Sequence, residues 1–510
     1  MTQTVSIPPM DAHNQSLLSN VHPPEWENPK PEGVYNLVVI GAGTAGLVTA
    51  VGAAGLGAKV ALIEKHLMGG DCLNVGCVPS KCVIRSSRAA ADVRDAGRFG
   101  LRLAGGAEAD FPAVMERMRK LRAGISRHDS AQRYKSLGVD MFFGSARFLH
   151  GNRVEAGGAV LKFKKAVIAT GARAARPDIP GIQEAGFLTN ETVFNLTALP
   201  KRLLVIGAGP IGCEMAQAMS RLGSRVHLFE ATHGFLPRED REAAALVEAA
   251  FRRDKINAIC CCKIEKVEKR GNEKAVHFTA KHGGGRPERV AVDEILVGVG
   301  RAPNVENLGL ETAGVDYDPR AGVKVNDYLQ TTHPDIYACG DICLKYKFTH
   351  TADASARIVI QNALFFKSRK AGSLIIPWCT YTDPEIAHVG LYEHEAKNQG
   401  LDLDTYVRRL SDVDRAIVDG EEEGLVKIHV RKGTDEILGA TIVARHAGEM
   451  ISEITLAMTA KVGLGKIAGV IHPYPTQAEA IKQAADAYNR TRLTPLVKKL
   501  FRSWLNWARR

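Results

Sequence analysis

One pattern occurs twice in this sequence: a buried-strand run, a glycine turn, a helix, and a second strand that ends in an acid. The first copy covers 35–64 and the second covers 202–230. In each copy 23 residues separate the first glycine of the turn from the acid, which is Glu64 or Glu230. Such a turn holds a pyrophosphate at the helix N-terminus, and the acid holds ribose hydroxyls. Two copies in full context predict an α/β chain with two dinucleotide sites.

The glycines of each turn have separate tasks. The first allows a tight turn, the second lets the backbone approach the pyrophosphate, and the third lets the helix pack on the strand. In chain order they are Gly41, Gly43 and Gly46 in the first copy and Gly207, Gly209 and Gly212 in the second. Glu230 would repel a 2′-phosphate, and no arginine follows it immediately, although Arg238 is near. We therefore expect NADH rather than NADPH at the second turn.

A closely spaced cysteine pair follows the first copy. The segment GGDCLNVGCVPSK (69–81) places four residues between Cys72 and Cys77. The two sulfurs can close a small ring at the start of a helix, where the helix N-terminus and Lys81 lower thiol pKa values. This spacing is not that of a zinc knuckle, and no second Cys/His pair accompanies it. The pair is predicted to be redox-active.

Composition excludes several other classes of protein. The net charge is +11, but 488–510 contains seven Lys or Arg and no acid, and no nucleic-acid-binding motif accompanies the charge. No apolar run is long enough to span a membrane. Residues 1–33 lack the pattern of an ordinary secretory signal and are expected to be a flexible or loosely packed extension. We expect a soluble, cytoplasmic protein in which any disulfide is catalytic rather than structural.

These motifs resemble the class I flavoprotein disulfide reductases, which include mercuric reductase, dihydrolipoamide dehydrogenase and glutathione reductase. The resemblance covers about 34–485 and includes both glycine turns, the cysteine segment, ATG at 169–171, GRAPN, the GD motif, and TDPEIAHVG at 382–390. It implies FAD, a nicotinamide nucleotide and a homodimer. The implied domains are an extension (1–33), an FAD domain (34–186 and 300–370), an NAD(P) domain (187–299), an α+β dimerisation domain (371–487) and a basic tail (488–510).

The resemblance also implies individual roles. Cys77 would be the charge-transfer thiol against the flavin, Cys72 the interchange thiol that faces substrate, and Lys81 and Glu214 a pair near the isoalloxazine ring. The residues implied at FAD are Gly41, Gly43, Gly46, Glu64, Lys81, Gly144, Thr170, Gly171 and Asp341. Those implied at NAD are Gly207, Gly209, Gly212, Glu230 and Gly300.

The catalytic base is where the sequence departs from most of the family. Relatives that act on dithiols supply a His before Pro-Thr, and a Glu five residues later orients it. Here that register places Tyr474 in the base position and Glu479 in the orienting position, with His472 two residues earlier. A phenol with a pKa near ~10 is a poor base for a thiol. Mercuric reductase resembles this stretch better, as it does YTDP (381–384) and DVDRA (412–416).

The sequence is therefore compatible with three alternative functions. The first is a mercuric-reductase-like NAD(P)H reductase of a metal ion or a small disulfide. The second is a dihydrolipoamide dehydrogenase in which His472 replaces the missing base. The third is an electron-transfer component that is docked to a membrane or a partner by its tail, where Leu496, Leu500, Trp504 and Trp507 recur at helical spacing beside basic residues.

Two features of the mercuric reductases are absent from the sequence. No metal-binding cysteine domain precedes the first glycine turn, and the C-terminus ends in WARR rather than in a vicinal cysteine pair. The run Cys260–Cys262 is expected to be buried strand rather than a metal site. The remaining cysteines are expected to be packing residues: Cys82, Cys213, Cys339, Cys343 and Cys379.

Overall fold

The structure is a computed structural model that describes residues 5–102, 108–281 and 284–510. Its first elements are α1 (Ala12–Val21), β1 (Val34–Ile40), α2 (Thr44–Gly55), β2 (Val60–Glu64), α3 (Gly70–Asn74), α4 (Cys77–Arg94), α5 (Phe111–Ile125), α6 (Ala131–Ser136), β3 (Val139–Phe143), β4 (Ala146–Leu149), β5 (Arg153–Ala156), β6 (Ala159–Ile168), β7 (Ala172–Ala174) and α7 (Ile182–Ala185).

The second glycine turn opens the middle part of the chain. Its elements are β8 (Arg202–Ile206), α8 (Pro210–Arg221), β9 (Arg225–Phe229), α9 (Arg241–Arg253), β10 (Asn257–Ile259), β11 (Cys262–Arg270), β12 (Glu273–Ala280), β13 (Pro287–Val292), β14 (Glu294–Val297), β15 (Arg301–Pro303), β16 (Tyr317–Asp318), β17 (Gly322–Val323), β18 (Ile336–Ala338) and α10 (Thr349–Leu364).

The last part of the chain alternates strands with helices. Its elements are β19 (Pro377–Thr380), β20 (Glu385–Gly390), α11 (Glu393–Asn398), β21 (Leu403–Arg409), α12 (Asp414–Val418), β22 (Leu425–Arg431), β23 (Ile437–Ala444), α13 (Ala447–Thr459), α14 (Leu464–Ile467), α15 (Glu479–Thr491) and α16 (Pro495–Trp507). The chain divides into two compact units, with unit 1 covering Met1–Ala231 and Ala258–Leu374 and unit 2 covering Thr232–Asn257 and Ile375–Arg510.

Unit 1 contains both predicted nucleotide-binding sheets. In the first sheet the order is β3-β2-β1-β6-β5-β4, with β18 also paired to β6. Strands β1, β2, β3, β6 and β18 pair in parallel, which brings their carboxyl ends to one edge. The second sheet has the order β10-β9-β8-β14, and β8 pairs in parallel with both of its neighbours. Parallel order with a glycine turn after the first strand is the architecture of a dinucleotide-binding fold.

Unit 2 is built on an antiparallel sheet with the order β19-β20-β23-β22-β21. Helices α13 and α15 supply apolar residues to its core, including Ile454 and Ile481, both fully buried. The predicted fold class, two Rossmann-like parts and an α+β C-terminal part, is confirmed. The residue boundaries predicted for the individual domains stay a prediction.

The prediction of a loosely packed N-terminal extension is wrong for most of its length. Helix α1 buries Leu17 and Val21 completely in the core that also contains β1. Further along, Trp26 Nε1 donates to the Met141 carbonyl and Asn28 exchanges two hydrogen bonds with the backbone of Phe143. The sequence did not predict this packing, because only a few apolar and amide side chains in a mostly polar segment provide it. Residues 1–4 lie outside the described part of the chain.

Residues 495–507 of the basic tail form helix α16, and most of the apolar residues of this helix are exposed. Among the described residues, none of the helices has both the length and the apolar character needed to cross a bilayer.

Candidate active site

The first glycine turn has the geometry that a bound pyrophosphate requires. Gly41 has a φ of +100°, and a Cβ at Gly46 would lie 1.7 Å from the Gly41 carbonyl oxygen. No side chain of the described residues caps the N-terminus of α2 at Gly43, so its N–H groups remain available to an anion. Glu64 accepts hydrogen bonds from the N–H groups of Ala42 and His66, both at 2.7 Å. These residues fit the adenosine half of a dinucleotide.

The second turn repeats the main features of this geometry. Gly207 has a φ of +98°, and a Cβ at Gly212 would lie 1.8 Å from the Gly207 carbonyl oxygen. Glu230 Oε2 accepts from the N–H of Ala208 at 2.7 Å. At Gly209 a Cβ would meet no described atom within 4 Å, so the backbone there is open to a ligand. A second dinucleotide fits this turn for the same reasons as the first.

The other residues predicted at FAD and NAD lie at strand ends or turns in unit 1. Gly144, Gly171 and Gly300 all have positive φ angles, and Thr170 Oγ1 donates to the Asn304 carbonyl at 2.9 Å. Asp341 is partly buried, and burial raises the pKa of its carboxyl group. Their contacts with a cofactor stay a prediction.

The cysteine pair lies at the junction of two helices. Cys72 belongs to the short helix α3, and Cys77 is the first residue of α4. Both are thiols, the reduced form of the predicted redox pair, and they hydrogen-bond each other. The Thr349 hydroxyl, at the start of α10, lies 3.4 Å from Cys77 Sγ. Sequence reasoning missed Thr349, because it lies 272 positions from Cys77 and only the fold brings the two side chains together.

The two sulfurs have very different acidities. The hydrogen bond from Cys72, together with the Thr349 hydroxyl and the charge of Lys81, lowers the pKa of Cys77 to about 6, although desolvation acts in the opposite direction. The same contact, together with burial, raises the pKa of Cys72 above its ordinary value. At neutral pH Cys77 is therefore the thiolate and Cys72 the neutral thiol. The roles of Cys77 as charge-transfer thiol and of Cys72 as interchange thiol stay a prediction.

The predicted pair of Lys81 and Glu214 forms in the structure. Lys81 Nζ lies 2.8 Å from Glu214 Oε2, and the Glu214 side chain is only 6% exposed. Lys81 is one turn along α4 from Cys77, and α8, which carries Glu214, packs against α4. The ion pair fixes the lysine charge beside the thiolate and links the cysteine helix to the helix of the second glycine turn.

An arginine that the sequence did not single out connects the cysteine segment with the GD motif. Arg301 donates to the Asp71 carboxylate, directly before Cys72, and its Nε lies 3.7 Å from Asp341 Oδ2. Arg301 follows Gly300 in the GRAPN motif. The sequence analysis used GRAPN only as part of the family resemblance and assigned no role to Arg301, although its charge within the motif was a visible signal.

In unit 2 the predicted base position is occupied by an exposed phenol. Tyr474 is 70% exposed, and its hydroxyl donates to Asp414 Oδ2 at 2.9 Å. This hydrogen bond and the charge of Asp414 raise the pKa of Tyr474. Glu479 begins α15 and contributes a smaller electrostatic effect in the same direction. The hydrogen-bond partner of Tyr474 is thus Asp414 rather than the predicted Glu479.

His472, the residue of the alternative function, is held by a different carboxylate. Its Nε2 lies 3.0 Å from Glu453 Oε1 on α13, and its side chain is 7% exposed. Its Nδ1 lies 3.2 Å from the Val470 carbonyl oxygen. Both ring nitrogens therefore have partners within unit 2.

The cysteine run at 260–262 is not the buried strand that was predicted. Only Cys262 is buried in a strand, whereas Cys260 and Cys261 lie in the β10–β11 connection and are half-buried. Cys261 has a φ of +52°, a left-handed conformation that interrupts a strand. Among the residues that the structure describes, no cluster of three or more His, Cys, Asp or Glu side chains could hold a metal ion.

Comparisons with known families agree with this geometry. The sequence model described as "Pyridine nucleotide-disulphide oxidoreductase" matches 35–356, and the dimerisation domain of the same family matches 376–485.

The chain belongs to this family.

Its relatives in the pyridine nucleotide-disulphide oxidoreductase family carry two kinds of name. A mercuric reductase of Lysinibacillus sphaericus is 35% identical over 459 residues, which are 90% of this chain and 83% of that protein. A dihydrolipoyl dehydrogenase of Thermus scotoductus is 34% identical over 467 residues, which are 89% and 98% of the two chains. A solved structure, the Cu(II) complex of the HOCl-induced flavoprotein disulfide reductase RclA from Escherichia coli, has a TM-score of 0.79 and 27% identity, and the match covers 89% of this chain and 100% of that one.

Family membership establishes the general function. The chain is an enzyme, a flavoprotein disulfide oxidoreductase of the mercuric reductase and lipoamide dehydrogenase group. The family implies FAD and a nicotinamide nucleotide, and the dimerisation domain supports a homodimer.

Proposed function

We propose that this reductase passes electrons from NADH to a thiol-binding metal ion, such as Hg(II) or Cu(II), or to a small disulfide. FAD, which the first glycine turn with Gly41, Gly43 and Glu64 would hold, would supply the relay of two electrons from the reduced nicotinamide to the cysteine pair. Cys77 then carries the thiolate and Cys72 the proton. A soft metal ion favours thiolate ligands, and its binding displaces the proton of Cys72. For Hg(II) the balance is Hg(II) + NADH → Hg(0) + NAD⁺ + H⁺; for copper, two Cu(II) become two Cu(I).

The observation that carries this choice of acceptor is Tyr474 in the base position. A dithiol substrate must lose a proton to a nearby base before it attacks a disulfide. The Tyr474 hydroxyl already donates a hydrogen bond to Asp414, which raises the pKa of the phenol further above neutrality. A metal ion needs no such base. The arrangement supports an acceptor that binds to thiolates directly.

The preference for NADH rests on Glu230. Its carboxylate is held by the N–H of Ala208, beside the turn, where a ribose would bind. A 2′-phosphate at this position would meet a fixed negative charge in a partly buried site, which costs binding energy. We expect kcat/KM to be at least about tenfold higher with NADH than with NADPH. Replacing Glu230 with Ala should narrow this ratio.

Dihydrolipoamide dehydrogenase is the second candidate. The Thermus scotoductus relative carries this name, and His472 has the carboxylate partner, Glu453, that an imidazole base needs to fix its orientation. The His472 ring is largely buried, however, and both of its nitrogens are engaged within unit 2. These contacts favour a structural role.

Steady-state assays of the full-length holoenzyme distinguish the two functions. With NADH we expect turnover of Hg(II) or Cu(II), its loss in Cys72→Ser and Cys77→Ser, and little turnover of lipoamide in either direction. Tyr317→Phe is a matched control for Tyr474→Phe, because Tyr317 also donates to a carboxylate, Glu311, at 2.6 Å, but lies in unit 1. Rapid dihydrolipoamide turnover that survives Tyr474→Phe and is lost in His472→Gln would reject the metal reductase.

We also propose that helix α16 attaches the enzyme peripherally to an anionic membrane surface. One side of the helix carries the exposed apolar residues Leu496, Leu500, Phe501, Trp504, Leu505 and Trp507. The other side carries Lys498, Lys499 and Arg502, and Arg509 and Arg510 follow the end of the helix. No acid occurs between 488 and 510. An apolar face that contains tryptophan, opposite a basic face, suits the boundary between headgroups and acyl chains. Each basic residue near an anionic membrane surface strengthens the free energy of membrane binding by roughly 1 kcal/mol.

Co-sedimentation with vesicles tests the attachment. The full-length enzyme should bind to vesicles of phosphatidylcholine with phosphatidylglycerol, and binding should weaken as salt rises. A double variant, Trp504→Ala with Trp507→Ala, should lose binding but keep reductase activity. Phe365→Ala with Phe366→Ala is the control, because both side chains are exposed but lie in unit 1. No sedimentation of the full-length protein, with recovery of a tightly bound protein partner instead, would contradict the lipid proposal.

A further inference from the structure

The loop between the redox cysteines is held from behind by a buried arginine. Arg122, on α5, is 1% exposed, and its Nη1 donates to the Asn74 carbonyl oxygen at 2.7 Å. Asn74 lies between Cys72 and Cys77 in sequence. Its own side chain, also buried, donates to the carbonyl oxygens of Met68 and Gly70 at 3.0 and 2.8 Å. The guanidinium therefore contacts the backbone within the loop that joins the two sulfurs.

The same guanidinium is held by the N-terminal segment. Arg122 Nη2 donates to Asn14 Oδ1 at 2.8 Å, and Asn14, on α1, is completely buried. Asn14 Nδ2 in turn donates to the carbonyl oxygens of Pro9 and Ile7 at 2.8 and 3.3 Å. One continuous series of hydrogen bonds thus runs from residues 7–14 through Arg122 to the cysteine loop.

Further contacts fix the segment against the same region. Asp11 forms an ion pair with Arg119, one helical turn before Arg122, at 2.5 Å. The Val21 carbonyl accepts from the N–H of Met68, just ahead of the cysteine segment, at 3.1 Å. The segment therefore contacts the chain both before the loop and behind it. It lies outside 35–356, the region that the family model matches.

We propose that residues 5–22 form a brace for the redox loop, in which Asn14 and Arg122 are positioning residues that set the thiol–disulfide equilibrium of Cys72 and Cys77. This inference rests on the proposed redox role of the pair. A braced loop keeps the two sulfurs in contact, which gives each a high effective concentration at the other and favours ring closure. A loosened loop lowers that concentration, so the dithiol form gains.

Asn14→Ala removes the acceptor of Nη2 without touching either cysteine. Full-length, FAD-loaded enzyme is equilibrated in dithiothreitol redox buffers and quenched, and the fractions of dithiol and disulfide are read by alkylation and mass spectrometry. We expect the equilibrium constant to shift by about tenfold toward the dithiol, which is about 30 mV for a two-electron couple. The midpoint pH of Cys77 alkylation should also rise, because the hydrogen bond from Cys72 weakens.

Asn20→Ala is the matched control. Asn20 lies on the same helix and donates to Ser126 Oγ at 2.8 Å, but it does not contact Arg122. If Asn14→Ala folds poorly, Arg122→Lys serves instead. A lysine ammonium keeps the charge, but it lacks the two separate N–H donors with which the guanidinium binds both the Asn74 carbonyl oxygen and Asn14 Oδ1. It should shift the equilibrium in the same direction.

The outcomes separate the two proposals. A wild-type pair that never forms a disulfide would reject the reductase proposal, and the brace would lose its role with it. If the wild type forms the disulfide but neither Asn14→Ala nor Arg122→Lys changes the thiol–disulfide equilibrium constant by more than twofold, the brace is rejected and the reductase proposal is not. An equal shift in Asn20→Ala would reject Asn14 and Arg122 as the positioning residues, since the effect would then reflect general loosening of α1.

Discussion

Cys77 shows how several weak effects on one sulfur combine. Its position at the first turn of α4, the hydrogen bonds from Cys72 and Thr349, and the nearby charge of Lys81 all favour the thiolate. Together they outweigh the desolvation of the sulfur, which favours the neutral thiol. The resulting pKa of about 6 means that the thiolate is present at neutral pH and is lost as the pH falls through that value.

Replacing Lys81 tests the contribution of charge at this sulfur. In Lys81→Met the midpoint pH of Cys77 alkylation by iodoacetamide should rise from about 6 toward the ordinary thiol value, because a positive charge near the thiolate is lost. Lys120→Met is the control, since Lys120 is an exposed lysine on α5. An unchanged midpoint in Lys81→Met would show that the lysine charge does not act on Cys77.

Protonation of His388 is expected to make the free energy of unfolding depend on pH. It is fully buried on β20, its Nδ1 lies 2.8 Å from Thr441 Oγ1, and burial lowers its pKa to about 3. The unfolded chain binds a proton near pH 6.5 and the folded chain does not, so stability falls as the pH drops below about 6.5. The loss is roughly 1.4 kcal/mol per pH unit, or roughly 2 kcal/mol by pH 5.

Urea unfolding at several pH values between 7 and 5 measures this effect. His388→Gln should show a flatter dependence of unfolding free energy on pH than the wild type, whatever its stability at pH 7. His394→Gln should keep the wild-type slope, because His394 is exposed. Parallel slopes in the wild type and His388→Gln would mean that another group governs acid sensitivity.

Among the elements, the helix that follows each glycine turn can pack against the turn only because the third glycine has no side chain. A Cβ at Gly46 would overlap the Gly41 carbonyl oxygen, and neither backbone can move without opening the turn. Gly46→Ala should therefore lower stability by roughly 1–3 kcal/mol and reduce the FAD content of the purified protein. Flavin absorbance relative to protein absorbance, together with thermal unfolding, measures both.

Gly55→Ala is the control in the same helix. Gly55 is exposed at the end of α2, and a Cβ there would meet no described atom within 4 Å. Alanine should leave FAD content unchanged and should cost no stability, because it favours helix more than glycine does. Full flavin content in Gly46→Ala would remove the argument that this turn binds FAD.

Elements whose chemistry is local in sequence were predictable. The glycine turns, the helix that begins at Cys77, and the amphipathic helix α16 each depend on neighbours within a few positions. The brace was not predictable, because Asn14 and Arg122 are 108 positions apart and neither belongs to a motif. The left-handed residue Cys261 was missed for a related reason, since apolar composition alone suggested a strand.

The whole molecule is expected to work as a dimer, and the surface of unit 2 indicates where it associates. Ile471 is 93% exposed, and Val470 and Leu456 are also exposed, all within 376–485, the region matched by the dimerisation domain. Exposed apolar groups of this kind are typical of interfaces. The same stretch carries Tyr474, so association and the predicted base position share a segment.

A charge placed in this surface should therefore separate the subunits. Ile471→Asp should shift the protein from dimer to monomer in sedimentation-velocity experiments and lower the reductase activity. Leu56→Asp is the control, because Leu56 is 60% exposed but belongs to unit 1. A dimer that tolerates Ile471→Asp as well as Leu56→Asp would place the interface elsewhere.

The near-identity of the two glycine turns has a consequence for selectivity. Glu64 and Glu230 each accept from the second residue of the turn at 2.7 Å, so the two sites present similar faces to an adenosine ribose and its phosphates. Among the described residues these faces differ at few points: Pro210 lacks the N–H that Thr44 offers at the start of the helix, and His66 donates a second hydrogen bond to Glu64. We therefore expect the parts of each cofactor beyond the pyrophosphate to supply most of the selectivity, and truncated nucleotides such as AMP or ADP-ribose to compete for both positions.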